Sequence, residues 1–438
     1  MVPTNARNAH KIILAMALLA ALSASSPSQD AHKLSLADAV ARALQYSPDL
    51  AAARADIRAA EARSMQAAAF AAPELTLAWE AMPGFFNPAQ ADESSIGLSQ
   101  SFEFPLKRRH RLAGLGYERN LAESRLQNAS KLVVARVKRA YFRALFSREQ
   151  IANLEEAVGW LGQFADLAAS RYAAQSGTYL EVLRARVEAA KLRSELVGLQ
   201  GESAQNLAAL NLLLGNPGPQ PLLLVDRFSV SPLSRSLEQE IGDLLPASSR
   251  LLLARARISR QRSSLDQARS GYWPNFSLAV MRQRLNGQPP YNANGYSGTR
   301  SHGWAIELGF RLPFLWSKGP RSEILQAQAG LDKAGSLLAA AEKDVRNAVE
   351  TAYGKVKTAE AQVGIFRDSL LADSEDQIQA GLELYRLMRI DSWQLLDVLR
   401  SDMAIHDEYS RALFRFNLAL ADLEAAGESE NMGVADER

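Results

Sequence analysis

Cysteine is missing from all 438 residues. Its absence excludes a disulfide framework, thiolate metal sites, a cysteine nucleophile and a lipidated N-terminal cysteine. Histidine is nearly as scarce: His10, His32, His110, His302 and His406 are scattered, with no HExxH or paired spacing. Neither a Gly-rich phosphate loop with lysine nor a nucleophile elbow occurs. No sign of charge dominates, since 50 basic and 48 acidic residues give a formal net charge of +2. That balance points away from nucleic acid. Hydrophobic residues at 47% and charged residues at 22% suit a folded chain. The sequence therefore reads as a non-enzyme, with no cofactor and no metal site expected, and a periplasmic hydrolase finds no plausible site in it.

Long hydrophobic runs are also missing, except near the N-terminus. Arg7, His10 and Lys11 precede an apolar run over 12–22, followed by small residues over 23–26. The run is shorter than the about 20 residues that a membrane-spanning helix needs. It reads as a secretory signal peptide over 1–26, with a buried N-terminal helix as the plain alternative. Setting Arg7 and Lys11 aside from the 50 basic residues balances the 48 acidic ones. If the mature chain crosses a membrane, it must do so as a closed β-barrel.

Proline is absent from two long tracts: none lies between Pro105 and Pro217, and none after Pro320. An interior proline costs a helix about 3 kcal/mol, so these tracts can hold very long helices. The chain is also duplicated with a period close to 210 residues. Ala53-Arg-Ala-Asp-Ile57 matches Ala254-Arg-Ala-Arg-Ile258, and Pro73-Glu-Leu-Thr-Leu77 matches Pro274-Asn-Phe-Ser-Leu278. Ala140-Tyr141 matches Ala352-Tyr353, and Tyr172 matches Tyr385. Each copy reads as a helix (48–72, 247–271), two strands (73–81 and 95–105; 274–283 and 303–313) and a long helical hairpin (107–214, 320–425). The repeats span 33–215 and 246–426, with a proline-rich linker or equatorial segment at 216–245 that could pack as a small side domain, and a polar, disordered tail at 427–438. Stripes such as Leu132, Val133, Val137, Tyr141, Leu145 and Val345, Val349, Tyr353, Val356, Val363 have coiled-coil spacing. An ordinary soluble helical bundle would carry the same stripes.

The strands alternate. One face carries Ile96, Leu98, Gln100, Phe102 and Phe104 in the first copy and Trp304, Ile306, Leu308, Phe310 and Leu312 in the second. The other carries Ser99, Ser101 and Glu103, and Glu307 and Arg311. Apolar-out and polar-in at period two marks a barrel with a wet interior, although a half-buried soluble sheet alternates in the same way. Four strands cannot enclose water, so a barrel would need several chains, and three would supply twelve strands.

These features resemble the TolC-like outer-membrane factor family of outer membrane efflux proteins, the exit ducts of tripartite efflux pumps and type I secretion systems. The resemblance covers about 33–425. It rests on Leu34-Ser-Leu-Ala-Asp-Ala39 with Ser47-Pro48, on both Pro-x-Leu/Phe-x-Leu strands, and on Tyr409, Ala412, Phe416, Leu420 and Leu423. Gln100-Ser-Phe-Glu-Phe-Pro-Leu-Lys-Arg-Arg109 is most similar to the heavy-metal-efflux, CzcC-like branch, with Leu106 in place of a glycine. The resemblance implies a mainly α fold with a β-barrel portion. Duplicated helical hairpins would form a periplasmic α-barrel, and four strands per chain would complete a trimeric twelve-stranded outer-membrane β-barrel.

It further implies a homotrimer anchored by its barrel in outer-membrane lipid, a periplasmic adaptor and an inner-membrane RND-type pump as partners, and passive conduction of cargo. Heavy-metal cations are the expected cargo; organic toxicants or secreted polypeptide fit the same architecture. A secreted helical scaffold or adhesin is the alternative of another class. The turns at 172–180 and 385–394 would be periplasmic tips. Glu181, Gln394 and Asp397 fall near the family's gate positions, and Tyr172, Gly177, Tyr385 and Asp391 near the adaptor contacts. Met388 stands where glycine is usual. Ser99, Ser101, Glu103, Glu307 and Arg311 would line the lumen, while Leu98, Phe102, Ile306 and Phe310 would face lipid. Lys107, Arg108 and Arg109, with Trp316, are candidates for the membrane interface. Cations at a helix start oppose its dipole, so either anionic headgroups or local ion pairs would compensate them.

Overall fold

A computed structural model of the chain describes residues 32–80, 82, 88, 91, 93–216, 218, 220–285, 301–316 and 318–428. The expected signal peptide lies outside these residues, as does the tail beyond Glu428. Gly427 and Glu428, placed in a disordered tail by the sequence, are ordered. The Gly427 carbonyl accepts from the Ser248 hydroxyl and the Arg250 N–H, and Glu428 pairs with Lys131 at 2.9 Å. The elements in chain order are β1 (His32–Leu34), α1 (Leu36–Tyr46), α2 (Pro48–Ala68), β2 (Glu74–Glu80), β3 (Glu93–Phe102), α3 (Pro105–Ala173) and α4 (Tyr179–Leu213). Then come β4 (Leu222–Leu224), α5 (Leu237–Ala247), α6 (Ser249–Ser270), β5 (Asn275–Leu285), β6 (Ser301–Arg311), α7 (Lys318–Ile365), α8 (Leu371–Arg386) and α9 (Ser392–Glu424).

Residues divide into two compact units. One holds the described residues within 46–136, 231–361 and 418–428; the other holds those within 32–45, 137–230 and 362–417. The first contains an antiparallel four-stranded sheet in the order β2-β3-β5-β6. Its register runs from Glu93 opposite Leu285 to Phe102 opposite Phe276, and from Leu285 opposite Ser301 to Asn275 opposite Arg311. Strand β3 ends at Phe102, and Pro105 opens α3 as its first residue rather than closing the strand. At that position a helix needs no N–H, so proline favours the start and leaves the helix continuous over all 69 of its residues. Helix α2 stops at Ala68, four residues short of expectation, because Ala69 is already extended (φ −68°, ψ 148°).

The other unit is built from helical segments and a short parallel pair, β1 with β4. Its core gathers Leu154, Leu161 and Phe164 of α3, Val182 and Leu192 of α4, Ile378 and Tyr385 of α8, and Leu395 and Leu399 of α9. On α3 the buried positions advance by three and four through Leu154, Ala157, Leu161, Phe164 and Ala168, and the alanines allow close helix approach. The fully buried Tyr141 ties this unit to the proline-rich segment. Its hydroxyl donates to Asp226 (2.8 Å), which also caps α1 by accepting from the Leu36 N–H (2.7 Å). Its duplicate, Tyr353, differs: it is half-buried rather than part of the core stripe, and it donates to the Arg235 carbonyl at 3.1 Å. Ala352 takes the buried position instead. In both copies the tyrosine holds part of 216–245, so this segment is docked, and it contains β4 and α5.

One turn of π-helix, Phe366–Leu370, joins α7 to α8. Helix α7 buries Val345, Val349, Ala352, Val356, Ala359 and Val363. Continued without interruption, that rhythm would bury Asp373, Gln377, Ala380 and Leu384. The residues buried are Ser374, Ile378, Gly381 and Tyr385, each one position later. The π turn therefore absorbs a single extra residue and resets the helix phase, a known use of such turns. Deleting Ser369 is expected to leave Tyr385 inward and thermal stability nearly unchanged. Inserting one alanine there turns Tyr385 outward by about 100°. That insertion is expected to cost about 3–5 kcal/mol, the range for vacating a buried aromatic position. Equal melting temperatures for the two variants would show that this turn does not set the register.

Candidate functional site

No helix among the described residues is long and apolar enough to cross a membrane. Among them no group of three His, Asp or Glu side chains is gathered that could hold a metal ion. Two features remain as functional surfaces: the sheet in one unit and the helix–helix turns in the other.

Residues directly opposite one another in a sheet share a face. One face of the sheet therefore carries the rows Phe102–Phe276–Phe310, Gln100–Leu278–Leu308, Leu75–Leu98–Val280–Ile306 and Leu77–Ile96–Arg282–Trp304. Phe102 and Phe276 stack at 5.2 Å. These apolar side chains stand free: Leu98 is 54% exposed, Ile306 72% and Phe310 64%. The opposite face carries Glu74–Ser99–Ala279–Glu307, then Ser101–Ser277–Gly309, then Asn275–Arg311. Ser99, Ser101, Glu307 and Arg311 thus share the polar face. Glu103 does not join it, because it lies past the end of β3, where Arg111 holds it at 2.8 Å. Strands β2 and β6 are both open edges in the single chain.

The basic opening of α3 is largely satisfied within the chain. The Arg111 guanidinium donates to the Ala67 carbonyl (2.8 Å) and that of Arg108 to the Ala68 carbonyl (2.5 Å). These are the last carbonyls of α2, so both cations complement a helix C-terminus rather than only opposing a helix start. Arg108 also lies 4.4 Å from the Phe70 ring centroid. Lys107 donates to Asn275 Oδ1 (3.2 Å), and burial lowers its pKa against the opposing pull of Glu103 and Glu323. Of the three cations expected at the membrane interface, Arg109 alone is exposed. Trp316 ends a 3-10 turn, Pro313–Trp316, and its side chain lies outside what the structure describes.

The two helix–helix turns close alike. Gln175 and Met388 each take a left-handed conformation at φ 57°. Behind them, Ser176 N donates to the Arg171 carbonyl (2.9 Å) and Arg389 N to the Leu384 carbonyl (2.8 Å). Each is a Schellman turn without its usual glycine, at a cost of about 1–2 kcal/mol. Tyr385, expected as a surface contact, is fully buried beneath the turn. Its hydroxyl donates to Glu181 Oε2 (2.8 Å), and Arg171 covers its ring at 4.4 Å. Burial, together with the Glu181 carboxylate, pushes the Tyr385 pKa up. Glu181 is consequently turned inward, with Arg171 4.0 Å away. Gly177 packs on Arg171, where an added Cβ would come within 3.0 Å of the Arg171 Cβ.

Asp391 and Gln394 form a reciprocal cap. Asp391 Oδ1 accepts from the N–H of Trp393 and of Gln394, both at 2.8 Å, and Gln394 Oε1 accepts from Asp391 N at 3.0 Å. Tyr172 and Asp397 remain exposed. Arg171, Glu74, Arg282 and Arg284 were not singled out from the sequence. Strict alternation applied to β2 and β5 would have found the last three; Arg171 carries no local signal.

An open amphipathic sheet and duplicated helical hairpins define a membrane channel subunit of mainly α fold. The profile of the family described as "Outer membrane efflux protein" matches residues 39–216 and 241–386. The chain belongs to the outer membrane efflux protein family, whose members are channels rather than catalysts and sit in the outer membrane with a large periplasmic portion. It is 25% identical over 234 residues to Protein CyaE of Bordetella pertussis, covering 52% of this chain and 48% of that one. It is 24% identical to the cobalt-zinc-cadmium resistance protein CzcC of Cupriavidus metallidurans (59% and 60% covered). To the cation efflux system protein CusC of Escherichia coli it is also 24% identical (72% and 68%). The chain thus spans about half of CyaE and under two thirds of CzcC. Among solved structures, the outer-membrane channel OprN superposes with TM-score 0.72 at 17% identity over 90% of both chains. VceC of Vibrio cholerae superposes with TM-score 0.70 at 19% identity over 90% and 96%. These likenesses establish the fold.

Met388→Gly is expected to stabilise the tip by about 1 kcal/mol by relieving the left-handed backbone. Tyr385→Phe leaves Glu181 without its hydroxyl partner and is expected to cost about 1–3 kcal/mol. Thermal melting of the two variants beside the unaltered protein checks both signs; a destabilised Met388→Gly would contradict the assigned turn.

Proposed function

We propose that the chain is one third of a trimeric duct, its four strands completing a twelve-stranded barrel that passively carries cargo delivered by an inner-membrane RND-type pump through a periplasmic adaptor. The observation that carries this reading is the sheet. Its apolar face is exposed and both of its edges are open, which neither water nor lipid tolerates in an isolated chain. At about 3.3 Å per residue and about 45° of tilt, an eleven-residue strand covers about 25 Å of membrane, enough for the hydrocarbon band. In this reading Leu98, Phe102, Ile306 and Phe310 face lipid, and Ser99, Ser101, Glu307 and Arg311 face the lumen. The turns at Tyr172 and Met388 meet the adaptor, with Tyr172 and Asp391 as outer contacts, and Asp397 is the free carboxylate left for a gate.

Divalent metal cations are the proposed cargo. Support comes from the polar face, where Glu74, Glu80, Glu93 and Glu307 stand against Arg311 alone. A lumen with that excess of carboxylates attracts cations. The relatives named for cobalt-zinc-cadmium resistance and cation efflux support the same reading.

Leu98→Arg or Ile306→Arg is expected to cost about 2–4 kcal/mol per chain on the lipid side and to remove the protein from the outer-membrane fraction, whereas Ser99→Arg leaves it there. Equal tolerance at all three positions would end the barrel reading. Detergent extraction should yield a particle of three chain masses. Disrupting the gene should lower tolerance to cobalt, zinc or cadmium; lost tolerance to organic toxicants alone would leave the duct and overturn the cargo.

A further inference from the structure

Charge on the apolar face of the sheet is confined to one end. On β5, Arg282 and Arg284 lie two residues apart on the side that carries Phe276, Leu278 and Val280. Arg282 is opposite Ile96 and Trp304, and Arg284 is opposite Ser94 and His302. The Arg282 guanidinium lies 6.0 Å from the centroid of the Trp304 ring, and the buried Arg284 Nε has no hydrogen-bond partner among the described residues. Neither arginine has an acidic partner among those residues. Glu80 and Glu93, the carboxylates at this level, pair on the other face. The connecting sequence 286–300 contains no Asp or Glu and adds Arg300, while 81–92 offers Asp92 alone.

Position along the strand gives these cations a meaning. From Phe276 to Arg284 is about 27 Å along a strand, or about 20 Å along the membrane normal at about 45° of tilt. If the Phe102–Phe276–Phe310 row marks one edge of the hydrocarbon band, Arg284 and His302 lie within about 5 Å of the opposite edge, and the long arginine stems let their heads reach it. An arginine on the lipid face costs about 2–4 kcal/mol at mid-bilayer and almost nothing at the interface, where an anion would make it favourable. Guanidinium forks match phosphate oxygens two at a time. All four strands join helices at the other end, the periplasmic side in this family, so this end meets the outer leaflet.

We propose that Arg282, Arg284 and His302 form an outward-facing phosphate clamp that holds the phosphorylated glycolipid of the outer leaflet against the rim of the wall. The proposal rests on the reading of the sheet as a lipid-facing wall. Its test uses the full-chain protein purified in a zwitterionic detergent, titrated with bisphosphorylated lipid A and with its dephosphorylated counterpart, with bound lipid counted by native mass spectrometry. The unaltered protein is expected to retain the phosphorylated form at least tenfold better. The double variant R282Q/R284Q loses that preference, and R282K/R284K, which keeps the charge but not the forks, keeps only part of it. Indifference to the phosphates, or an R282Q/R284Q protein that binds like the unaltered one, overturns the clamp while leaving the wall intact. A chain that forms no detergent-stable trimer and enters no vesicle sinks the wall, and the clamp with it.

Discussion

A β-sheet with two open edges and one apolar face is an unfinished object. Each unpaired backbone group in lipid costs several kcal/mol, and each large apolar side chain left in water forgoes about 1.5–3 kcal/mol. Strands β2 and β6 leave the edges open, and Leu75, Leu98, Ile306 and Phe310 leave the face bare. Both deficits would be removed together if β6 of one chain met β2 of the next and the face turned to hydrocarbon. The duplication follows from the same need: each copy brings a hairpin of strands, and repeating the copy widens the wall without inventing a new element.

The helices obey a different constraint, continuity. Among the described residues, proline is admitted at the first turn of α2, α3 and α7 and in the last turn of α5, and nowhere else within an α-helix. Over such lengths a straight 3.6-residue helix drifts from a seven-residue repeat. The π turn at Phe366–Leu370 corrects the phase once, and the residue it brings inward is Tyr385. From there Tyr385 engages Glu181 and Arg171 beneath the turns. Phase, core and tip chemistry are thus linked along α7 and α8 by a single inserted residue.

What the sequence made legible was what repeats or is forbidden. Missing prolines marked the long helices, period-two alternation marked the strands, and the matched segments marked the duplication. Less legible was anything that depended on which partner a polar side chain finds. Lys107, Arg108 and Arg109 read as candidates for the membrane interface, yet Arg108, together with Arg111, caps the end of α2. Tyr385 and Glu181 read as exposed tip residues, yet a cation above the ring and a carboxylate at the hydroxyl make burial tolerable. Which side chains hold 216–245, Tyr141 and Tyr353, was hidden for the same reason, since a proline-rich stretch shows no periodicity to betray its contacts.

The two faces of the sheet also differ in their prevailing charge, with Arg311 the one cation among the glutamates of the described polar face. Glutamates gather on the polar side at Glu74, Glu80, Glu93 and Glu307, while the arginines of β5 stand on the apolar side near its far end. In a closed wall the first set would meet water and cargo, and the second would meet headgroups. A one-residue slip of β5 against its neighbours would exchange Arg282 and Arg284 for Met281 and Gln283, and would send the guanidiniums inward among the carboxylates. Such a slip would also bury Phe276 and Val280 in the lumen. The aromatic and charged residues therefore specify the same register. That agreement lets a sheet with few hydrogen-bonded neighbours of its own choose one alignment before any second chain arrives.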